Sequence, residues 1–199
     1  MRDLEIRGAG NLLGHDQSGP VAAVGYDLYV QLVAEAVAEA KGVIMPEVVT
    51  VSIDVPGEAH LPKNYVEADD ARLEAYRRLA GITTLEELDD VKNEWIDRYG
   101  PLPHAAQGLL KLSELRVECL RVGVREVLVQ PAKVGVRSRP VAKLSPLDIP
   151  LSAQLRVRRL YGARAYDETS KEVRLELDVK ATTPEPLIEL LRELVPPLN

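Results

Sequence analysis

The residues with the most chemical promise stand at the start of the chain, in "RDLEIRGAGNLLGHDQSG", Arg2 to Gly19. Gly8, Gly10 and Gly14 follow the alternating pair Leu4 and Ile6, much as glycines follow a strand that hands a dinucleotide to a helix. That fingerprint needs G-x-G-x-x-G/A, but here the sixth position is Leu13 and Gly14 arrives one residue late. The charges of "RDLEI" suit a buried parallel strand poorly. Asp27, at the right distance for a ribose contact, falls inside a helical stretch. The spacing therefore predicts no nucleotide cradle. A phosphate-binding loop is excluded too, because no G-K-[S/T] occurs in the chain.

Other reactive side chains are scattered. His15, His60, His104 and the lone Cys119 have no metal-ligand spacing. Ser18 and Ser113 lie in neither a nucleophile elbow nor an S-x-x-K setting. Cys119, on an apolar-periodic helix, reads as a small buried hydrophobe. No catalytic residue, bound cofactor or metal is expected in this chain. What remains of chemical interest is Arg7 and Gln17, ten residues apart. Arg7 offers five fixed donors to carboxylates or phosphates. Gln17 both donates and accepts, so it can exchange partners without a change of charge. A plainer reading also stands: Arg7 pairing with Glu5 or Asp16, and the glycines capping a helical hairpin.

The chain that must position these groups has 199 residues, 46% hydrophobic and 28% charged, enough for one sizeable core without staples. No apolar run reaches the roughly 18 residues of a membrane span, and no signal peptide is recognisable. A single cysteine fits a reducing compartment, so a cytoplasmic location is expected. The net charge of −6 argues against indiscriminate nucleic-acid binding. Charge is uneven, however: Asp54 to Gly100 holds 12 acidic and 6 basic residues, whereas Lys111 to Arg164 holds 12 basic and 4 acidic. Two functional faces, an internal salt-bridged interface and an ordinary solvated surface all fit that split.

Apolar residues at three- and four-residue spacing predict a helix over Tyr26–Ala40, stopped by Gly42. Val48–Val55 alternates and reads as a strand. Asp69 or Asp70 caps an expected helix through Leu79; Thr84 and Glu87 form a capping box for another through Tyr99; a third runs from about Pro103 to Val122. Strands are expected at Arg125–Gln130 and Lys133–Leu144, and a short helix at Ser152–Tyr161. A hairpin follows at Ala163–Val179, then a last helix opened by Thr183-Pro184 and closed by Pro196-Pro197. The class is α+β: an N-terminal helical hook, then helices packed on a small, mainly antiparallel sheet.

Three phrases carry a family resemblance. "RDLEIRGAGNLLGHDQSGPVAAVGYDLYVQLVAEAV" closely resembles the end of the motor in bacterial transcription-repair coupling factors (Mfd). "LPKNYVEADDARLEAYRRLAG" is similar to the family's LP-x-x-Y and the R-L-x-x-Y-x-R helix after it. "LDDVKNEWIDRYGPLP" resembles its acidic helix ending in D-R-[FY]-G-x-[LF]-P. The likeness covers residues 2 to about 120; beyond Arg125 only the order of elements is shared. His15-Asp16 stands where acidic pairs are more usual, and Tyr26 and Tyr99 where the family often has Phe.

The resemblance implies a parent that uses ATP and magnesium to translocate on double-stranded DNA as a superfamily 2 helicase. That parent displaces stalled RNA polymerase and recruits nucleotide excision repair through UvrA. It implies that residues 1–45 are the end of the motor, with Arg7 and Gln17 the functional pair of the translocation motif and Gly8, Gly10 and Gly14 its supporting turns. It further implies that residues 46–199 are a non-catalytic, autoinhibitory C-terminal domain, which packs on the parent's amino-terminal UvrA-binding module and masks it. By charge density, Arg137, Arg139, Arg156, Arg158 and Arg159 are the candidate contacts. The competing expectation is a nucleic-acid-binding module using basic residues 111–164 to track a phosphate backbone.

Overall fold

The computed structural model describes residues 51–130, 139–178 and 183–197. Arg7 and Gln17, the pair expected for the translocation motif, the helix expected over Tyr26–Ala40, the expected N-terminal hook and Arg137 lie outside them.

A short strand β1 (Ser52–Asp54) leads into three helices, α1 (Asp69–Gly81), α2 (Leu85–Tyr99) and α3 (His104–Val122). Then come β2 (Glu126–Gln130), β3 (Val141–Ser145), α4 (Leu151–Tyr161), β4 (Tyr166–Asp167), β5 (Glu172–Glu176) and α5 (Glu185–Leu194). The five strands form one sheet in the order β1-β2-β3-β5-β4. Its β2–β3, β3–β5 and β4–β5 pairs are antiparallel, whereas β1 and β2 are parallel, with Ile53 opposite Val127. A parallel pair needs a long crossover, and the three helices between β1 and β2 supply one. The α+β expectation holds, and the sheet is mainly antiparallel, with one parallel pair at its β1 edge.

Local chemistry sets the element ends. The Thr84 hydroxyl accepts from the Glu87 amide at 3.2 Å, while the Glu87 carboxylate accepts from the amides of Thr83 and Thr84. This reciprocal box satisfies amides that the first turn of α2 leaves without helical partners. Helix α1 departs from expectation: Ala68 occupies its N-cap without a side-chain bond, because the carboxylate of Asp69 is turned to Arg72. Of the strand expected over Lys133–Leu144, residues 133–138 lie outside the described residues, and the described strand is Val141–Ser145. Between β4 and β5, Asp167 accepts from the amides of Thr169 and Ser170 and closes the turn expected from its polar residues.

One face of the sheet is apolar. Ile53, Val127, Val129, Ala142, Leu144, Val173 and Leu175 alternate inward and pack with residues of α3, α4 and α5. A second cluster joins α1 and α2 to the other side of α3 through Leu79, Val91, Trp95 and Leu109. Helix α3 thus serves two cores, with Leu115 and Cys119 in the first and Leu109 and Val117 in the second. A helix apolar on so much of its circumference must be central. A loop from β1 crosses it at Gly108, where a Cβ would stand 2.1 Å from the carbonyl oxygen of Glu58. The neighbouring His60 amide donates to Ala105 O at 3.2 Å.

Candidate docking surface

The buried charges hold elements together. Arg116, in α3, donates from Nη2 to the carbonyls of Leu79, Ala80 and Ile82 at 3.1, 2.8 and 2.6 Å. It thereby satisfies acceptors that the C-terminal end of α1 leaves open, with the charge the helix dipole favours there. Arg72 does the same for the loop before α1, donating to Val66 O and Glu67 O. Two residues on from Arg116 the pattern reverses: the buried Glu118 carboxylate accepts from Arg121 Nε at 2.7 Å and from Arg192 Nε, on α5, at 2.6 Å. Arg192 also reaches Glu114 at 3.0 Å, and Lys111 binds the same carboxylate at 2.8 Å.

These partners answer the question raised by the charge split. Among the described residues, the ion pairs of the acidic segment stay within it: Arg72 with Asp69, Arg77 with Glu74, Arg78 with Glu94. Those of the basic segment stay local or reach residues beyond Arg164, as with Arg158–Glu168 and Arg192–Glu118. Among the described residues, the two segments are not closed on each other by salt bridges.

The structure brings Arg156, Arg158 and Arg159 onto α4 but does not aim them alike. Arg158 turns toward the sheet, 3.4 Å from Glu168 and over the ring of Tyr166 at 5.9 Å. Arg156 makes an exposed pair with Glu193 of α5 at 3.3 Å. Arg159 is exposed. Arg139 is exposed too, just before β3, and is not on this helix. Of the five candidate contacts, then, Arg156 and Arg159 share an outward face, Arg158 is committed to the fold, and Arg137 is not described.

What sequence reasoning missed lies between these arginines. Ala153 and Val157 of α4 are buried, while Leu151 and Leu155 are 63% and 57% exposed. At 3.6 residues per turn Leu151, Leu155 and Arg159 follow one another along a stripe opposite the buried one. Leu160 and Tyr161 extend the exposed apolar surface at the helix end. Of six large hydrophobics exposed among the described residues, four are on α4. The signal was present: Leu151, Ala153, Leu155 and Val157 alternate, so a helix built from them is apolar on two opposite sides and can bury only one.

A cleft of about 490 Å³ opens elsewhere, between the β1–α1 loop, α2, α3 and the start of α5. Leu88, Leu102 and Leu110 contribute apolar walls, and the paired Lys111 and Glu114 sit on its rim. Among the described residues no cluster of three or more His, Cys, Asp or Glu side chains suits a metal. Nor is any described helix long and apolar enough to cross a membrane. Burial, reinforced by the neighbouring Glu118 charge, pushes the Cys119 thiol up to about 12, which keeps it protonated and unreactive.

Residues 55–149 match the TRCF domain family model. The chain is 42% identical over 188 residues to proteins named transcription-repair-coupling factor from Mycobacterium bovis and Mycobacterium tuberculosis, an alignment covering 89% of this chain. The chain belongs to the transcription-repair coupling factor family. The Staphylococcus epidermidis member is likewise 42% identical, over 144 residues and 71% of the chain. The chain spans about 15% of the length of the mycobacterial relatives and 12% of the staphylococcal one. Its fold is similar to a crystal structure titled as the C-terminal domain of transcription-repair coupling factor. The TM-score is 0.54 at 16% identity, over 73% of this chain and 93% of that one. The family and the α+β class expected from the sequence are thus both established, and the family name fits a role in transcription-coupled DNA repair.

Proposed function

We propose that residues 46–199 are a non-catalytic regulatory domain that docks on the amino-terminal module of its parent and masks the surface that recruits UvrA. On this reading residues 1–45 end the motor, where Arg7 and Gln17 couple changes of ATP state to movement along duplex DNA. The parent then displaces stalled RNA polymerase and calls in excision repair. ATP and magnesium belong to other parts of that parent, because this chain lacks a phosphate-binding loop.

The observation that carries the reading is the likeness of this fold to a C-terminal domain within a family whose members are far longer than the chain. The placement of charge supports it. Arg72, Arg116 and Glu118 hold the cores together, while Arg156 and Arg159 are displayed outward. Displayed cations steer docking and make it reversible and salt-sensitive.

Titration of the purified chain with the recruiting module tests the proposal directly. Association at low ionic strength that weakens with added salt is the expected result. No association at low salt sinks it. DNA-stimulated ATP turnover by the chain alone contradicts the non-catalytic assignment. In a mobility-shift series, tight duplex binding with a steep salt slope instead favours the nucleic-acid reading.

A further inference from the structure

We propose that the outward faces of α4 and α2 are complementary docking surfaces for a second copy of this chain, α4 of one copy seating against α2 of the next. This contact is separate from the masking proposed above and does not depend on it.

The large hydrophobics exposed among the described residues lie on these two helices: Leu151, Leu155, Leu160 and Tyr161 on α4, Leu85 and Ile96 on α2. The two helices are opposite in charge. Helix α4 carries Arg156, Arg158 and Arg159 and no acidic residue. Helix α2 carries six acidic residues against Lys92 and Arg98. Helical spacing puts Leu85, Asp89, Lys92 and Ile96 on one stripe, with the exposed Glu86 and Asp90 on its solvent side. Among the described residues Glu86, Asp89, Asp90 and Arg159 form no ion pair. Arg156 pairs with the half-exposed Glu193, a contact that contributes little and exchanges readily.

Within one chain the two faces do not cover each other. Helix α2 belongs to the core shared with α1, α4 belongs to the sheet core, and α3 serves both. Their complementarity is therefore open to another molecule, and a second copy offers both halves at once. Apolar side chains ringed by opposite charges are the pattern of a protein interface. A nucleic acid gains nothing from the leucines and is repelled by α2. A contact between two different faces leaves one of each unused, so assembly extends or closes into a ring. Size makes the contact weak. The helices extend about 16 and 22 Å, and such a patch falls below the roughly 800 Å² per partner of a stable complex. The net charge of −6 opposes approach at long range. The paired faces prevail once salt at ~0.1 M limits that repulsion to about 10 Å.

Sedimentation of the purified chain over a concentration series tests this, beginning at ~0.1 M salt and repeated at ~1 M. The average mass is expected to rise above the monomer with concentration and to fall back at high salt. Two charge-reversed chains separate the faces: Arg156→Glu with Arg159→Glu on α4, and Asp89→Arg with Asp90→Arg on α2. Each alone is expected to associate at least ~10-fold more weakly. Mixed, they are expected to recover association, because the unaltered α2 of one meets the unaltered α4 of the other. That recovery also shows that both variants fold. A chain that stays monomeric at every concentration overturns the proposal. So does association that either variant leaves unchanged, or that mixing fails to restore in variants whose circular dichroism matches the unsubstituted chain.

Discussion

Arg192 on α5 places its Nε 2.6 Å from Oε1 of Glu118, a carboxylate only 2% exposed near the C-terminal end of α3. The two residues are 74 positions apart, and their contact fastens the last helix to the central one. Glu118 also holds Arg121, so the buried charge has two cationic partners. Loss of Arg192 leaves it with one. Arg192→Ala is expected to cost about 2–3 kcal/mol, below the usual cost of breaking a buried pair because Arg192 is itself 37% exposed. Urea unfolding of the two proteins, with the m-value held as a check on two-state behaviour, measures it.

Gly108→Ala pits two effects against each other. Alanine favours a helix by about 1 kcal/mol over glycine. Its methyl group, however, would stand 2.1 Å from the Glu58 carbonyl oxygen, and that oxygen is backbone. The crossing loop must move, and the His60–Ala105 hydrogen bond with it. Overpacking of this kind costs about 1–3 kcal/mol, so net destabilisation is expected. A melting temperature at or above that of the unsubstituted chain would contradict the close approach.

The capping box of α2 makes a prediction about pH. Amide donors from Thr83 and then Thr84 hold the Glu87 carboxyl below its ordinary value near 4.5. A carboxylate depressed on folding stabilises above its unfolded pKa, and that contribution fades as pH falls through the folded value. The difference between unsubstituted and Glu87→Gln chains should therefore be full at pH 7 and close progressively below pH ~4. Thr84→Ala removes the other half of the box at a cost of about 1 kcal/mol. For a chain of this length that lowers Tm by roughly 2–4 °C. Thermal melts at pH 7 and pH 3 provide both readings.

Cys119 should behave as an inert core residue. With its thiol pushed up to about 12 by burial, almost no thiolate exists in the folded chain at pH 8, and the buried sulfur is closed to reagent. Alkylation by iodoacetamide is expected to be negligible in the native chain and to track global unfolding as urea is added. Mass spectrometry of the labelled protein follows it. Rapid native labelling would contradict the packing of α3.

Helix ends and strand centres were legible because their causes are local. The Thr84–Glu87 box, the glycine at the end of α2 and the alternation of β2 each act within a few residues. Where expectation failed, the competing partner was also nearby but of another kind: Asp69 was offered to the backbone and taken by Arg72. Arg116 was one cation among twelve in a basic run, and nothing near it in the chain marks it as the cap of a helix 34 to 37 residues earlier.

The sequence by itself thus determined the class, most element boundaries and, through its motifs, the family. Each rests on short-range periodicity, capping chemistry or residue identity. Tertiary structure alone decided that α3 is central, that β1 pairs parallel to β2, and which charges are consumed by the fold. It also decided which of the two apolar sides of α4 is buried, the one bearing Ala153 and Val157, and so left Leu151 and Leu155 beside Arg156 and Arg159 on the surface. The physical reason is the same throughout: a side chain's partner is set by which distant elements pack against it, and neither spacing nor composition encodes that proximity.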